Sequence, residues 1–437
     1  MSATTLDVTQ RVQHRKVRVG TLDGIRGLCA LTVLVTHVAF ATIVLSSAAG
    51  EPPQGIWSII AAGQVGAVGP FFILSGLLLY RPFAKAALGS AARPAMVPFF
   101  MKRAARLLPA FYLVTVFCLA VLNYDAIDGP WDVLRPFLLA GVYDPHFYAG
   151  LDVAWTVPAE AQYYLALPIM AWLMHRLANG VDDPGRKARR MLIVPVVMMG
   201  MEVAWTAYIH ARYETWTPQF FYPFSVCALF AAGMVLALWS VLAEVAPTRE
   251  PRLFGVARRH PNLFWLGALV AWGVNCAQPL AIPGTADWLP SDAAVIREVL
   301  MFLFSICVMI PVVVPRAPSA TMVRVLTNWP MRYLGRISYG LYVWHFAVMY
   351  VVFGSGSIFG QTVPVHALLG KYGFWELVVP VLVGTIAVAS VSFWLIERPI
   401  LIRVGSAADR YAARRGKTVH TADVGALQPD ASAGTRA

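Results

Sequence analysis

Thr21-Leu-Asp-Gly-Ile-Arg26-Gly-Leu-Cys-Ala-Leu-Thr-Val-Leu-Val-Thr-His37 sets a guanidinium and an imidazole eleven positions apart, with only apolar or small uncharged side chains from Leu28 to Thr36 between them. On a helix rising about 1.5 Å per residue, eleven steps carry His37 roughly 16 Å beyond Arg26, about half the depth of a bilayer's hydrocarbon core. The stretch therefore reads as a membrane helix with an ionisable ring near its middle. Such a group is costly in lipid and marks a functional site by default.

Outward from this stretch, the 437-residue chain is 58% hydrophobic and 13% charged, has 14 Trp, and has a mean hydropathy of +0.62. That is the make-up of a polytopic membrane protein and not of a soluble domain. Apolar stretches long enough to span occur near 24–46, 60–82, 105–123, 155–174, 191–210, 219–243, 262–280, 295–315, 335–354 and 374–396. The expected fold is all-α and integral to the membrane, with about ten transmembrane helices.

Positive charge in short loops favours the cytoplasmic side. With the N-terminus inside, only Arg135, Arg212, Arg297 and Lys371, of 35 Lys and Arg, fall in or beside outer loops. Both termini are then cytoplasmic. The outer loop from Asn123 to Ala154 holds Asp125, Asp128, Asp132, Asp144 and Asp152, whereas Arg186, Lys187, Arg189 and Arg190 cluster on the inner side. The net charge of +12 thus serves topology and lipid headgroups, and gives no case for nucleic acid. Residues 1–20 read as a basic cytoplasmic N-terminus leading into an uncleaved first helix, 21–403 as the membrane domain, and 404–437, rich in Ala, Gly, Asp and Arg, as a disordered cytoplasmic tail. The five cysteines lie in apolar segments at no ligand spacing, so neither a disulfide framework nor a metal site is expected.

Several polar groups fall inside these spans. Ser75-Gly76 reads as a helix-packing notch that also offers one hydroxyl. Lys102, Arg103 and Arg106 lie within little more than one turn and project from nearby faces at the cytoplasmic surface. They suit a positive-inside anchor, a phosphate clamp built on guanidinium forks, or both. Glu160 lies just inside the fourth span, where a carboxylate needs a partner or water, with Tyr163 and Tyr164 at similar depth and Trp155 suited to the interfacial belt. Tyr342 and His345 share a helix face with Ser338. Glu397-Arg398-Pro399 reads as an interfacial ion pair with a proline stop near the inner surface. Together these groups describe one polar chamber with a basic mouth.

The assembly resembles acyltransferase family 3, the membrane proteins that include O-antigen, peptidoglycan and macrolide acyltransferases. The resemblance runs from Leu22 to Pro399. It rests on Arg26 and His37 within Leu-Asp-Gly-Ile-Arg-Gly, on Phe71-Phe-Ile-Leu-Ser-Gly-Leu-Leu, and on Arg103-Ala-Ala-Arg-Leu-Leu-Pro109. Trp155 with Glu160, Gly335-Arg-Ile-Ser-Tyr-Gly-Leu-Tyr-Val-Trp-His345 and Glu397-Arg-Pro complete it. Two positions depart from the pattern: Ala161 stands where many relatives carry a second carboxylate, and Pro158 is unusual in that turn. The sequence lacks the hundreds of further residues of relatives with an SGNH hydrolase-like domain.

The resemblance implies a bacterial inner-membrane acyltransferase of the non-aminoacyl type, with no metal. It moves an acyl group, acetyl above all, from cytoplasmic acyl-CoA to a hydroxyl of an envelope glycan or of a glycolipid such as a trehalose lipid. A secondary metabolite such as a macrolide is the alternative acceptor. Arg26, Lys102, Arg103 and Arg106 would hold the phosphates of coenzyme A, His37 would be general base, and Glu160 would orient His37 or bind the acceptor. An acyl-histidine relay through His37 is the variant. Asp23, Ser75, Trp155, Tyr163, Tyr164, Ser338, Tyr339, Tyr342 and His345 would support them. A proton-coupled transporter also uses intramembrane His and Glu, but repeated halves are its usual sign and none is visible.

Overall fold

The structure is a computed structural model that describes residues 3–48, 68–144, 148–214, 217–277, 289–314, 320–353 and 374–414. Among the described residues it is all helix, without strands. The helices are α1 (Ala3–Ala48), α2 (Val68–Ala87), α3 (Met96–Phe117), α4 (Pro130–Phe137), α5 (Thr156–Leu177), α6 (Pro184–Met191), α7 (Ile193–Arg212) and α8 (Cys227–Val245). They continue with α9 (Arg252–Arg259), α10 (Pro261–Ala277), α11 (Ser291–Val313), α12 (Ala320–Leu326), α13 (Trp329–Arg336), α14 (Ser338–Phe353), α15 (Phe374–Ser392) and α16 (Arg398–Arg414). Among the described residues, six segments are long and apolar enough to cross a membrane: Gly20–Thr42, Met96–Leu122, Pro184–Arg212, Pro223–Val245, Ser291–Val313 and Phe374–Arg414. The chain is a multi-pass membrane protein. Helices α2, α5, α10 and α14 occupy the other four predicted stretches; residues 60–67, 278–280, 315 and 354 of the predicted spans lie outside the described residues, as does Lys371.

Small residues let the backbones meet. Helix α2 packs along α8, and a methyl group built on Gly76 would stand 2.1 Å from the Phe230 carbonyl oxygen, as would one on Gly233 from that of Ile73. The notch read at Ser75-Gly76 is thus occupied by another helix at backbone distance, which is how membrane helices gain dispersion contact without a hydrophobic driving force. A second seam joins α1 to α12 and α13. There a methyl on Gly24 would lie 2.0 Å from the Leu326 oxygen, and one on Gly335 2.0 Å from the Asp23 oxygen.

Two elements differ from the sequence reading. The stretch from Gly335 is not one continuous span: α13, opened by an Asn328 side chain that accepts the Met331 amide at 2.9 Å, ends at Arg336, and α14 begins after Ile337. The Glu397-Arg398-Pro399 segment does not stop its helix. A π-turn over Phe393–Glu397 runs directly into α16, because a widened turn accommodates the amide that Pro399 lacks. Residues 404–414, expected in a disordered tail, are therefore helical, with Ala408 and Ala412 buried and the helix packed on α3. The rest of the predicted tail, 415–437, lies outside the described residues. At the other end, α1 already covers the backbone of residues 3–20.

Replacing Gly76 by Ala is expected to lower the thermal midpoint of the detergent-purified protein, overpacking of this kind costing about 1–3 kcal/mol. Gly200→Ala, at a position where an added methyl meets nothing within 4 Å, should leave it unchanged or raise it slightly through helix propensity. Tryptophan fluorescence during heating distinguishes the two.

Candidate active site

Helices α1, α2, α3, α5 and α14 enclose a cleft with an empty volume of about 720 Å³, lined by Arg26, Ser75, Arg106, Glu160, Tyr164 and Tyr342 among others. Glu160 is the fifth residue of α5, and Pro158 sits in the first turn, where a missing amide costs no helical bond. Ser75 donates to Glu160 Oε1 at 2.7 Å and the Tyr164 hydroxyl donates to the same oxygen, so the carboxylate is held between α2 and its own helix. Thr156 donates to the Tyr342 hydroxyl at 2.9 Å, and that hydroxyl donates to the Val153 carbonyl at 2.8 Å. The Tyr339 hydroxyl donates to the Leu107 carbonyl. Helix α14 is in this way tied to both α3 and α5 through hydroxyls that border the cleft.

One turn beyond Tyr342, His345 is fully buried and meets His37. His37 Nδ1 and His345 Nε2 are 3.0 Å apart, with the rings stacked at 5.1 Å and Phe346 edge-on to both. The second nitrogen of His345, Nδ1, lies 2.6 Å from the Tyr342 carbonyl oxygen. A carbonyl only accepts, so Nδ1 of His345 carries the proton. In a neutral ring Nε2 is then the acceptor, and His37 donates to it from Nδ1. The Val33 backbone is a further hydrogen-bond partner of the His37 ring. His37 is thus paired with a second imidazole, and Glu160 with Ser75 and Tyr164.

The basic groups divide. Arg26 lies 3.4 Å from Asp23, and Arg106, Arg332 and Arg336 are further electrostatic neighbours of the same carboxylate. Four guanidinium groups around one carboxylate leave a strongly positive mouth beside the cleft. Lys102 instead pairs with Asp409 of α16 at 2.8 Å, so it ties two helices together. Arg103 and Arg106 both act electrostatically on Tyr164. Arg106, the eleventh residue of α3, lines the cleft itself and does not sit at a helix end as the sequence reading placed it.

The structure thus brings Arg26, Ser75, Arg106, Glu160, Tyr164, Ser338, Tyr339 and Tyr342 to one cleft and pairs His37 with His345 next to it. His37 is not among the cleft's lining residues; it is reached through His345 and Tyr342. Tyr163 points elsewhere, its hydroxyl on the Pro223 carbonyl and its ring stacked on Phe230 at 4.4 Å. Trp155 stacks on Phe72 and packs against Phe221. Sequence reasoning missed Arg332 and Arg336, whose signal was the run Arg332-Tyr-Leu-Gly-Arg336 of α13. It also missed Thr156, which follows Trp155. Glu397 is buried and accepts from Ser392 at 2.9 Å, so it is not one half of a surface ion pair with Arg398.

The acyltransferase family 3 profile, described as an acyltransferase domain, matches residues 19–396. The chain belongs to this family and is an acyltransferase of the non-aminoacyl kind. It is similar to nodulation protein 10 of Rhizobium leguminosarum bv. viciae, 25% identical over 89% of this chain and 95% of the relative. It is also similar to peptidoglycan O-acetyltransferase OatA of Listeria monocytogenes, 22% identical over 89% of this chain and 56% of the relative. Acyltransferase MdmB of Streptomyces mycarofaciens is 27% identical over 37% of this chain and 42% of the relative. The chain therefore covers nearly all of the first relative and about half the length of the other two. No solved structure matches significantly.

Arg106→Ala is expected to reduce acyl transfer by about tenfold or more, the loss of a charge-assisted contact to a bound phosphate being worth about 1.5–3 kcal/mol. Lys102→Ala should change turnover less than threefold and act on thermal stability, restored when charges are exchanged as Lys102→Asp with Asp409→Lys. Initial rates and thermal midpoints of the same preparations separate the two arginine-motif positions.

Proposed function

We propose that this protein is a transmembrane O-acyltransferase that takes an acyl group, acetyl above all, from cytoplasmic acyl-CoA and places it on a hydroxyl of an envelope glycan or glycolipid. The observation that carries this reading is the cluster of Arg26, Arg106, Arg332 and Arg336 around Asp23 beside a cleft bordered by Tyr342, one turn from His345 and its partner His37. Phosphate oxygens suit guanidinium forks, and an extended pantetheine arm suits a cleft running from those forks toward an imidazole. In this reading the helices cross a bacterial inner membrane ten times, with both termini cytoplasmic. The relatives' names support O-acetylation of envelope material.

In the chemical step, the acceptor hydroxyl oxygen attacks the thioester carbonyl carbon. A carbon–oxygen bond forms, the carbon–sulfur bond breaks, and the hydroxyl proton passes to His37 Nε2 and from there to the departing thiolate. His345 orients the imidazole by accepting its Nδ1–H. Glu160, fixed by Ser75 and Tyr164, binds the acceptor. General-base catalysis contributes about 10² to 10⁴ in rate, so His37→Ala should lose at least a hundredfold while its thermal midpoint and acetyl-CoA binding persist. His345→Ala should show an intermediate loss, and His345→Gln should retain more, because the amide oxygen can accept the same N–H.

Proteoliposomes supplied with acetyl-labelled acetyl-CoA on one face and envelope lipid extract in the bilayer test the whole reading. Covalent label on lipid or glycan, absent with His37→Ala, is expected. Solute movement without covalent label would overturn it in favour of a carrier.

A further inference from the structure

Trp329 is the most exposed large apolar or aromatic side chain among the described residues, 75% exposed. It opens α13, in a turn that is held firmly: the Asn328 side chain accepts the Met331 amide at 2.9 Å, and Pro330 fixes the backbone between them. One face of the indole lies on Tyr333, with ring centroids 5.6 Å apart and planes 14° from parallel. Tyr333 is itself anchored, its hydroxyl donating to Ser390 Oγ of α15 at 2.7 Å. The other face of the indole is open among the described residues. A flat aromatic surface is thus fixed in place and backed by a second ring.

Charge lies along the same side of the helix. Trp329, Arg332, Tyr333 and Arg336 stand at i, i+3, i+4 and i+7 and share one stripe. Met331, Leu334 and Gly335 occupy the opposite side, against α1, where a methyl on Gly27 would stand 2.6 Å from the Met331 oxygen and 3.0 Å from the Leu334 side chain. Arg336 is exposed and Arg332 half-buried, and both join Arg26 and Arg106 as electrostatic neighbours of Asp23. One carboxylate cannot neutralise four guanidinium groups, so the stripe keeps an excess of positive charge. Asp23 and Arg26 belong to the first residues of the span Gly20–Thr42, which puts the stripe at one end of the bundle, beside the cleft that Arg26 and Arg106 line. From Trp329 to Arg336 the helix rises about 10 Å, the extent of a nucleotide from base to diphosphate. An indole that only marks the membrane interface needs neither a stacked partner nor a file of guanidinium groups. A base with phosphates uses both, the open ring for the base and the forks for the phosphates.

We propose that Trp329 is the platform on which the adenine ring of the acyl-CoA donor stacks, with Arg332 and Arg336 holding the phosphates that follow it. This rests on the donor reading above and adds the residue that tells a nucleotide-bearing thioester from a shorter one. Trp329 supplies affinity for the adenosine end and takes no part in the chemical step.

The test uses the full chain in nanodiscs. Equilibrium dialysis with labelled adenosine 3′,5′-bisphosphate, which has neither pantetheine arm nor thioester, reads the platform alone. Trp329→Leu keeps an apolar side chain but no flat face, and should weaken that binding by about tenfold at an unchanged thermal midpoint, whereas Trp329→Phe should stay within about threefold of the wild type. In transfer assays with envelope lipid extract, kcat/KM for acetyl-CoA should exceed that for acetyl-4′-phosphopantetheine, which lacks the adenylate end, by about tenfold or more. That ratio should fall toward one in Trp329→Leu. Failure of the wild type to bind the bisphosphate, binding that Trp329→Leu leaves unchanged, an equal loss in Trp329→Phe, or equal use of the two donors by the wild type would overturn the inference, and transfer from either donor would leave the transferase reading standing. Bisphosphate binding that depends on Trp329, without any acetyl transfer, would uphold the nucleotide platform while the transferase reading falls.

Discussion

Where α13 crosses α1, the Gly335 backbone stands so near Asp23 that one added methyl would lie 2.0 Å from its carbonyl oxygen. Gly24 makes the matching approach to Leu326. This contact fixes the register of α13 on α1 with almost no slack, since packed interiors yield little to extra volume. Two consequences follow from the same register. Arg332 and Arg336 are brought to Asp23 beside Arg26, building the basic mouth. Helix α14, which follows α13 after the single residue Ile337, is set so that His345 arrives opposite His37. A glycine seam that carries no chemistry of its own thereby aligns both the charge cluster and the imidazole pair.

Several polar groups in the apolar interior are held by a partner from another turn or helix. Glu160 receives two hydroxyls, Glu202 accepts the Ala228 amide at 2.7 Å, Glu397 accepts Ser392, and Tyr342 both accepts and donates. Without water to satisfy them, such groups are tolerated only when paired or facing a cavity. The same pairing that makes them bearable also orients them, so the cleft's hydroxyls are fixed before any substrate arrives.

The helical class and the approximate spans were legible because hydropathy over some twenty residues is a strong signal. The grouping of Arg26, Ser75, Arg106, Glu160 and Tyr342 was legible as a set of costly residues. Which of them touch was not. Lys102 and Arg106, four positions apart, serve different ends because Asp409 draws the first toward α16, and that helix was hidden by a polar composition that read as disorder. The break after Arg336 falls at the start of the 335–354 stretch, where hydropathy alone draws no boundary, and the two arginines of α13 went unremarked. His345 was legible only as a supporting residue, since its partner, His37, lies 308 positions away, a separation no local pattern reports.

Phe72 lines the cleft, Trp155 lines a second pocket, and their rings stack at 6.4 Å. The paired rings are a thin apolar partition between the two spaces.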